Sequence, residues 1–247
     1  MKLLHPEFDA QDAPGDRRRL LGITLLAIGV GVLGGGIAAL LISMINAITH
    51  LAFEGRLSVA MVHGTIHAPW WRVLLVPLTG AFIIGVMARW GSSAIRGHGI
   101  PEVMERILHG DSRIPAKLTV LKPASAAVAI GTGGPFGAEG PIIATGGAVG
   151  SLLGQVMRVT ADERKTLLAS GAAAGMAATF GTPVAAVLLA IELLLFEYRA
   201  RSIIPVALAA SAATAVRMVL LGSEPIFPMP TVSDPTGTAL VCYGMLG

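Results

Sequence analysis

Two short runs hold the residues best placed to do chemistry in this chain. They are Gly97-His98-Gly99-Ile100-Pro101 and Gly137-Ala138-Glu139-Gly140-Pro141. In each, glycine leads into a proline suited to the opening turn of a helix, where its missing N–H leaves no bond unmade. A helix N-terminus carries unpaired N–H groups and about half a positive charge, so it holds an anion without needing a cation. Discontinuous helices that aim such ends at an anionic substrate are a transporter device. The plainer reading is loop punctuation, which Gly-x-Gly and Gly-Pro also give. Glu139 tips the balance towards an anion site. From Pro123 to Met157 it is the only Asp, Glu, Lys or Arg. A charge inside a membrane costs roughly 2.5–3.5 kcal/mol on insertion scales, which makes it a functional group by default. Broken backbone at that depth survives only where protein buries it or a polar cavity adjoins it.

The elements that position these runs belong to a membrane protein. Mean hydropathy is +0.72, with 53% hydrophobic and 13% charged residues over 247, which excludes an ordinary soluble domain. Leu20–Phe53 and Thr166–Ile191 carry no Asp, Glu, Lys or Arg and are long enough for membrane segments, which need about 20 residues. The shorter uncharged runs Val73–Ala88 and Ser202–Val216 suit tilted or re-entrant helices. The polar first 19 residues and the length of the run after them argue against a cleaved signal peptide. A net charge of +3 and a pI near 9.4 do not point to nucleic acid, because the basic residues sit at segment ends. Arg17-Arg18-Arg19 directly precedes the first apolar run and predicts a cytoplasmic N-terminus. Cys242 is the sole cysteine, so no internal disulfide forms and the compartment is not legible from it. Glycines within apolar runs (Gly34–Gly36, Gly146, Gly147, Gly171, Gly175) predict close helix packing.

The pattern predicts an all-α polytopic protein with discontinuous and re-entrant helices. Residues 1–19 read as a cytoplasmic segment, 20–221 as the membrane unit, and 222–247 as a loop with the start of a further helix, cut short. Within the unit, helices are expected at 20–50, 72–90, 101–109, 116–131, 139–153, 163–178, 183–198 and 202–221. Trp70-Trp71 serves as an interfacial anchor, and 158–165 as an aqueous loop.

These residues resemble a known family. Gly97-His98-Gly99-Ile100-Pro101-Glu102 is similar to the pattern G-S-G-I-P-E of CLC chloride channels and chloride/proton exchangers. Gly137–Pro141 is similar to its G-R-E-G-P, and Thr166–Gly175, Pro183 and Ile191-Glu192 continue the pattern in order. The resemblance covers about 20–247 and the first half of the family pattern. It implies one of two inverted repeats, a pore in each subunit and a homodimer. It also implies chloride or another small anion as the transported ion and no cofactor. Gly97, His98, Gly99, Ile100 and Pro101, with Gly137, Ala138, Glu139, Gly140 and Pro141, become the anion-binding filter. Glu139 becomes the gate. Ionised, its carboxylate occupies the pathway as a surrogate ion; protonated or displaced, it opens the path. The alternative for Glu139 is a helix N-cap.

Three departures bear on mechanism. His98 stands where the family has an anion-contacting Ser; an imidazole N–H can reach chloride, or it can bond a neighbouring carbonyl. Ala138 replaces an Arg, which weakens attraction of anions at the external mouth. Leu193 falls where exchangers carry a proton-transfer Glu, so channel-like conduction is expected. Glu192 or Glu197 would serve a proton-coupled antiporter if the register slips by a turn. The expected class is a voltage-gated-type chloride channel in a bacterial inner membrane, multi-pass and lipid-embedded, with no enzymatic activity and no nucleic-acid partner. The family's second-half motifs, a Gly-x-Phe-x-Pro and a pore tyrosine, are not in the sequence, so a half-protein inactive alone is a further alternative.

Other features carry less. Lys122, Arg217 and Glu197 are expected to snorkel at helix ends. His5, His50, His63, His67 and His109 lie in flanks or loops without i, i+4 pairing, so no metal site is expected. The apolar faces of 183–198 and 202–221 suit either the dimer interface of the family or lipid. Ser170 as an intramembrane nucleophile lacks a base in reach. Gly131–Phe136 as a nucleotide cradle lacks the sixth glycine and a βαβ unit.

Overall fold

Long uncharged runs become long helices. The computed structural model describes residues 16–62, 68–96, 99–109, 111–157, 159–222 and 236–246, and every helix or strand element among them is helical. Helix α1 spans Asp16–Thr49 and widens into a π turn over His50–Glu54. Helix α2 is Trp70–Val86, followed by a second π turn, Met87–Gly91. After a 3₁₀ turn at Ser93–Arg96 come α3 (Gly99–His109), α4 (Ala116–Gly131) and α5 (Glu139–Val156). Then follow α6 (Ala161–Phe180), α7 (Pro183–Ala190) with a π turn at Ile191–Leu195, α8 (Ala200–Leu221) and α9 (Gly237–Leu246). Arg17–Arg19 therefore form the first turn of α1.

Three stretches are long and apolar enough to cross a membrane: Arg17–Glu54, Trp70–Gly91 and Ala200–Leu221. The two shorter uncharged runs thus belong to full-length helices, because flanking Trp, Arg and small residues extend them. The run Thr166–Ile191, expected as a membrane segment, is divided between α6 and α7. Gly181 ends α6 at φ +67, its N–H donating to the Ala177 carbonyl, and Pro183 opens α7. Only glycine takes this left-handed turn without strain.

Helix α6 is the centre of the bundle, packed by α1, α5, α7 and α8. Its buried surface is mostly alanine and glycine: Ala169, Ala172, Ala173, Ala174, Ala177 and Ala178 are at most 1% exposed. Apolar burial drives little between helices already in lipid, so close backbone packing has to supply the attraction. Here it does so through paired glycines. A Cβ on Gly146 would lie 2.1 Å from the Gly171 carbonyl oxygen, and one on Gly150 2.0 Å from that of Leu167. The periphery faces outward: α2 exposes Trp70, Leu74, Leu78 and Phe82, with Trp90 at its far end. Trp at both ends of a spanning helix suits two interfaces, and the Arg72 guanidinium lies over the Trp71 ring, 5.2 Å from its centroid.

One ion pair fastens the start of α1 to the start of α6. Arg19 reaches the Glu163 carboxylate with both arms, Nη2 at 3.1 Å. Glu163 also closes a capping box with Thr160, whose N–H donates to it at 2.8 Å. These bonds, the Arg19 guanidinium foremost, hold the Glu163 carboxyl down at about 2.

Candidate anion site

The site begins where α4 stops. Gly134 N–H donates to the Ala129 carbonyl and Gly133 N–H to that of Ile130, both at 2.9 Å. With Gly133 at φ +86, this is a Schellman cap, which satisfies the last carbonyls of α4 and turns the chain away. The glycine run at 131–134 is therefore a helix stop, fastened from outside. A Cβ on Gly131 would meet Ile48, and one on Gly133 would meet the Phe53 ring at 3.0 Å.

Helix α5 then starts at Glu139 with Ala138 as its N-cap residue and no side-chain cap. The first backbone bond into the helix is Ile142 N–H to the Ala138 carbonyl at 3.0 Å. Among the described residues, the amides of Gly137, Ala138, Glu139 and Gly140 donate to no acceptor. Glu139 is the first helical residue, so its carboxylate is not the N-cap that the alternative reading required. It folds back over the break: a Cβ on Gly137 would be 3.7 Å from the Glu139 carboxyl carbon. The side chain is exposed and bonds to none of the described residues. No described element of the chain covers this loop; Gly137 and Phe136 are exposed with it.

Helix α3 has the same construction, with Pro101 in the third helical position as Pro141 is in α5. The two starts meet. A Cβ placed on Gly99 would lie 2.2 Å from Gly140 Cα and 2.3 Å from its carbonyl oxygen. Two glycines thus bring two helix N-termini into backbone contact. Like ends of two helix dipoles converge there, an arrangement that favours a negative charge between them. Gly99, Ile100 and Pro101 of the first run and all five residues of the second are placed around this junction. Gly97 and His98 lie outside the described residues, as do His5, His63 and His67.

Lys122 was missed by the snorkelling expectation. It sits in the middle of α4, 7% exposed, and its ammonium donates to the Glu102 carboxylate in the first turn of α3. Each charge neutralises the other away from water. The void beside the pair, lined by residues that include Val103, Leu118 and Ala144, is about 10 Å³, room for no more than one water. The available signal was a lysine within an apolar helix, followed by proline, with a glutamate in the first turn of the helix before it. Arg217 is also buried, at 7%, and donates to the Gly222 carbonyl beyond the end of α8. Glu197 accepts from Ser202 at 2.7 Å and pairs with Arg199 at 3.6 Å; it is bound at the start of α8.

His50 also differs from expectation. It is 6% exposed, and its two ring nitrogens approach Glu54 Oε2 at 2.9 Å, an i, i+4 pair, and the Ala60 carbonyl at 3.1 Å. The π turn brings this histidine inward, which spacing alone does not reveal. Leu193 is half-buried against the core and Glu192 is exposed. Ser170 is fully buried, its hydroxyl donating to the Thr166 carbonyl at 2.8 Å.

Converging N-termini of broken helices in an all-helical membrane bundle define a class, and the comparisons agree with it. Residues 79–247 match the family described as voltage gated chloride channel, and the chain belongs to that family. It is 30% identical over 232 residues to the H(+)/Cl(-) exchange transporter ClcA of Vibrio cholerae, covering 91% of this chain and 48% of the relative. It is 31% identical over 190 residues to the chloride channel protein CLC-f of Arabidopsis thaliana, covering 72% and 23%. The fold is similar to that of a slow cyanobacterial Cl-/H+ antiporter, with TM-score 0.72, 20% identity, and coverage of 91% of this chain and 52% of the other. The chain spans about half the length of these proteins or less.

Proposed function

We propose that this chain forms one half of a pathway for chloride or a similar small anion, held at the junction of α3 and α5 and gated by Glu139. The observation that carries the proposal is the backbone contact of Gly99 with Gly140. It puts the positive ends of two short helices beside a carboxylate that has no other partner among the described residues. Ionised, Glu139 competes with the anion for the same N–H groups. Protonated, it loses that attraction and the anion takes its place. The amides of 137–140 require a small, compact acceptor, which a halide or nitrate supplies. With Ala138 in place of a cationic residue, anion capture at this mouth depends on backbone dipoles alone.

Conduction is channel-like in this reading, because Leu193 offers no protonatable group at the inner relay position. The second reading, proton-coupled exchange, is supported by the likeness to the ClcA exchange transporter and to the cyanobacterial antiporter, and by the exposed Glu192, which bonds to none of the described residues. The surrounding assembly belongs to the proposal too: a multi-pass protein of a bacterial inner membrane with a cytoplasmic N-terminus, paired as a homodimer through exposed Val184, Leu188, Ile204 and Leu208. Reconstituted protein tests the choice. Chloride efflux without proton uptake is the expected result, and Glu139→Gln should leave that flux open at every pH. Proton movement in fixed ratio to chloride, abolished by Glu139→Gln, would overturn the channel reading in favour of exchange. Halide binding without flux would assign completion of the pore to protein beyond these residues.

A further inference from the structure

A second anion site, separate from the transport path, is built where α5 ends and α6 begins. A cavity of about 410 Å³ opens there, lined by Arg113, Gln155, Val159 and Arg164. Small-molecule sites occupy roughly 300–1,000 Å³, so the space exceeds what ordered water alone requires. It lies at the end of the bundle where Arg19 binds Glu163, next in sequence to Arg164.

The cationic wall is prearranged. Arg164 is 6% exposed. Its stem lies against α5 where Gly154 leaves room, a Cβ there being 3.0 Å from Arg164 Cγ. Its Nε donates to the Asp111 carbonyl at 2.7 Å. That bond fixes the guanidinium plane while both Nη groups keep their donors, with no acceptor for them among the described residues. Arg113 is exposed and has no ion-pair or hydrogen-bond partner among the described residues. The nearby carboxylate of Glu163 is committed to Arg19 and Thr160, and those of Asp111 and Asp162 pair with neither arginine.

The remaining lining adds shape and an acceptor. Gln155 Nε2 donates to the Ile114 carbonyl and to Ser151 Oγ, each at 3.1 Å, and its Oε1 accepts from none of the described residues. Ser151 donates to the Ser112 carbonyl at 2.6 Å and accepts from Ile114 N–H at 3.0 Å. This buried network pins the loop that carries Arg113 to the last turns of α5. One guanidinium held in place by the Asp111 carbonyl, a second carried on a pinned loop, neither paired with a carboxylate among the described residues, and one amide oxygen able to accept a hydroxyl proton match a tetrahedral oxyanion. From these residues we infer a binding site for a phosphate-bearing anion, either the headgroup of an anionic lipid or a free phosphate compound. Basic pockets between membrane helices take lipid headgroups in this way. Bound there, the anion bridges the loop after α3 to the first turn of α6. The assignment is independent of the transport path.

The test uses purified protein, stripped of lipid in a neutral detergent. Inorganic phosphate is titrated calorimetrically, and phosphatidylglycerol retention is read by native mass spectrometry. Arg113→Ala removes an exposed side chain without disturbing the pinned network, so its thermal midpoint should match wild type. Saturable phosphate binding weakened about tenfold or more in Arg113→Ala, the scale of a lost charge-assisted bond, supports the site with a free anion as ligand. Phosphatidylglycerol retained by wild type and lost from Arg113→Ala, without phosphate binding, supports it with lipid as ligand. Arg113→Lys should fall between, keeping charge but losing the fork. Phosphate binding and lipid retention that are both equal in wild type and Arg113→Ala overturn the assignment.

Discussion

Gly99→Ala probes the junction on which the anion site depends. The added methyl would sit 2.2, 2.3 and 2.5 Å from Cα, O and C of Gly140. All three are backbone atoms, so no side chain can rotate away. Carbon atoms pack at about 3.5–4.0 Å, which requires the two helix starts to separate by about 1.3 Å or more. Overpacking of this kind costs about 1–3 kcal/mol, against about 0.5–1 kcal/mol gained by removing a glycine from a helix. The site suffers more than the fold, because N–H donors moved by that distance leave hydrogen-bond range. Gly140→Ala is the matched control. Its methyl would face Gly99 N at 3.3 Å and Cα at 3.5 Å, which a shift of a few tenths of an ångström accommodates. Thermal unfolding in detergent and calorimetric halide binding read both effects. Gly99→Ala should lower stability and halide affinity, the latter about tenfold or more, while Gly140→Ala changes stability little. Equal behaviour of the two variants would refute the stated contact between α3 and α5.

Two further outcomes follow from the ion pairs. Lys122→Met should cost about 3–5 kcal/mol, since it strands the Glu102 carboxylate, whose side chain is only 16% exposed. Glu102→Gln in the same chain should restore a large part of that loss, and chemical unfolding of the single and double variants decides it. Glu163 has its folded value lowered to about 2 from 4.5, chiefly by Arg19, so its stabilisation is complete above about 4.5 and is lost as pH falls towards 2. The stability gap between wild type and Arg19→Ala should shrink over that window in pH-resolved thermal melts; a gap constant across it would contradict the pairing.

Much of the architecture was legible from punctuation. The bounds Ala116–Gly131 of α4 match the expected 116–131, because Pro115 and the glycine run are strong local signals. Proline at the same position of α3 and α5 marked both helix starts, and the glycines marked close packing without naming their partners. That Gly99 meets Gly140 rather than another helix is tertiary information. So is the burial of Lys122, whose partner lies on a different helix; within its own segment it looks like a residue reaching for the interface. The three π turns escape a 3.6-residue pattern, since one extra residue in a uniformly apolar helix leaves no mark on composition. The inward turn of His50 has the same origin. Glu139 is isolated in the sequence, but its carboxylate is exposed, because no described element of the chain covers the break.

The central claim is that a small anion and the Glu139 carboxylate compete for the N-termini of α3 and α5. A bromide-soaked crystal, read by anomalous scattering for wild type and Glu139→Gln, tests it most directly. The account predicts a bromide peak within hydrogen-bond reach of the amides at 137–140 and beside Gly99, stronger in Glu139→Gln than in wild type. A junction empty of bromide in both proteins would contradict it.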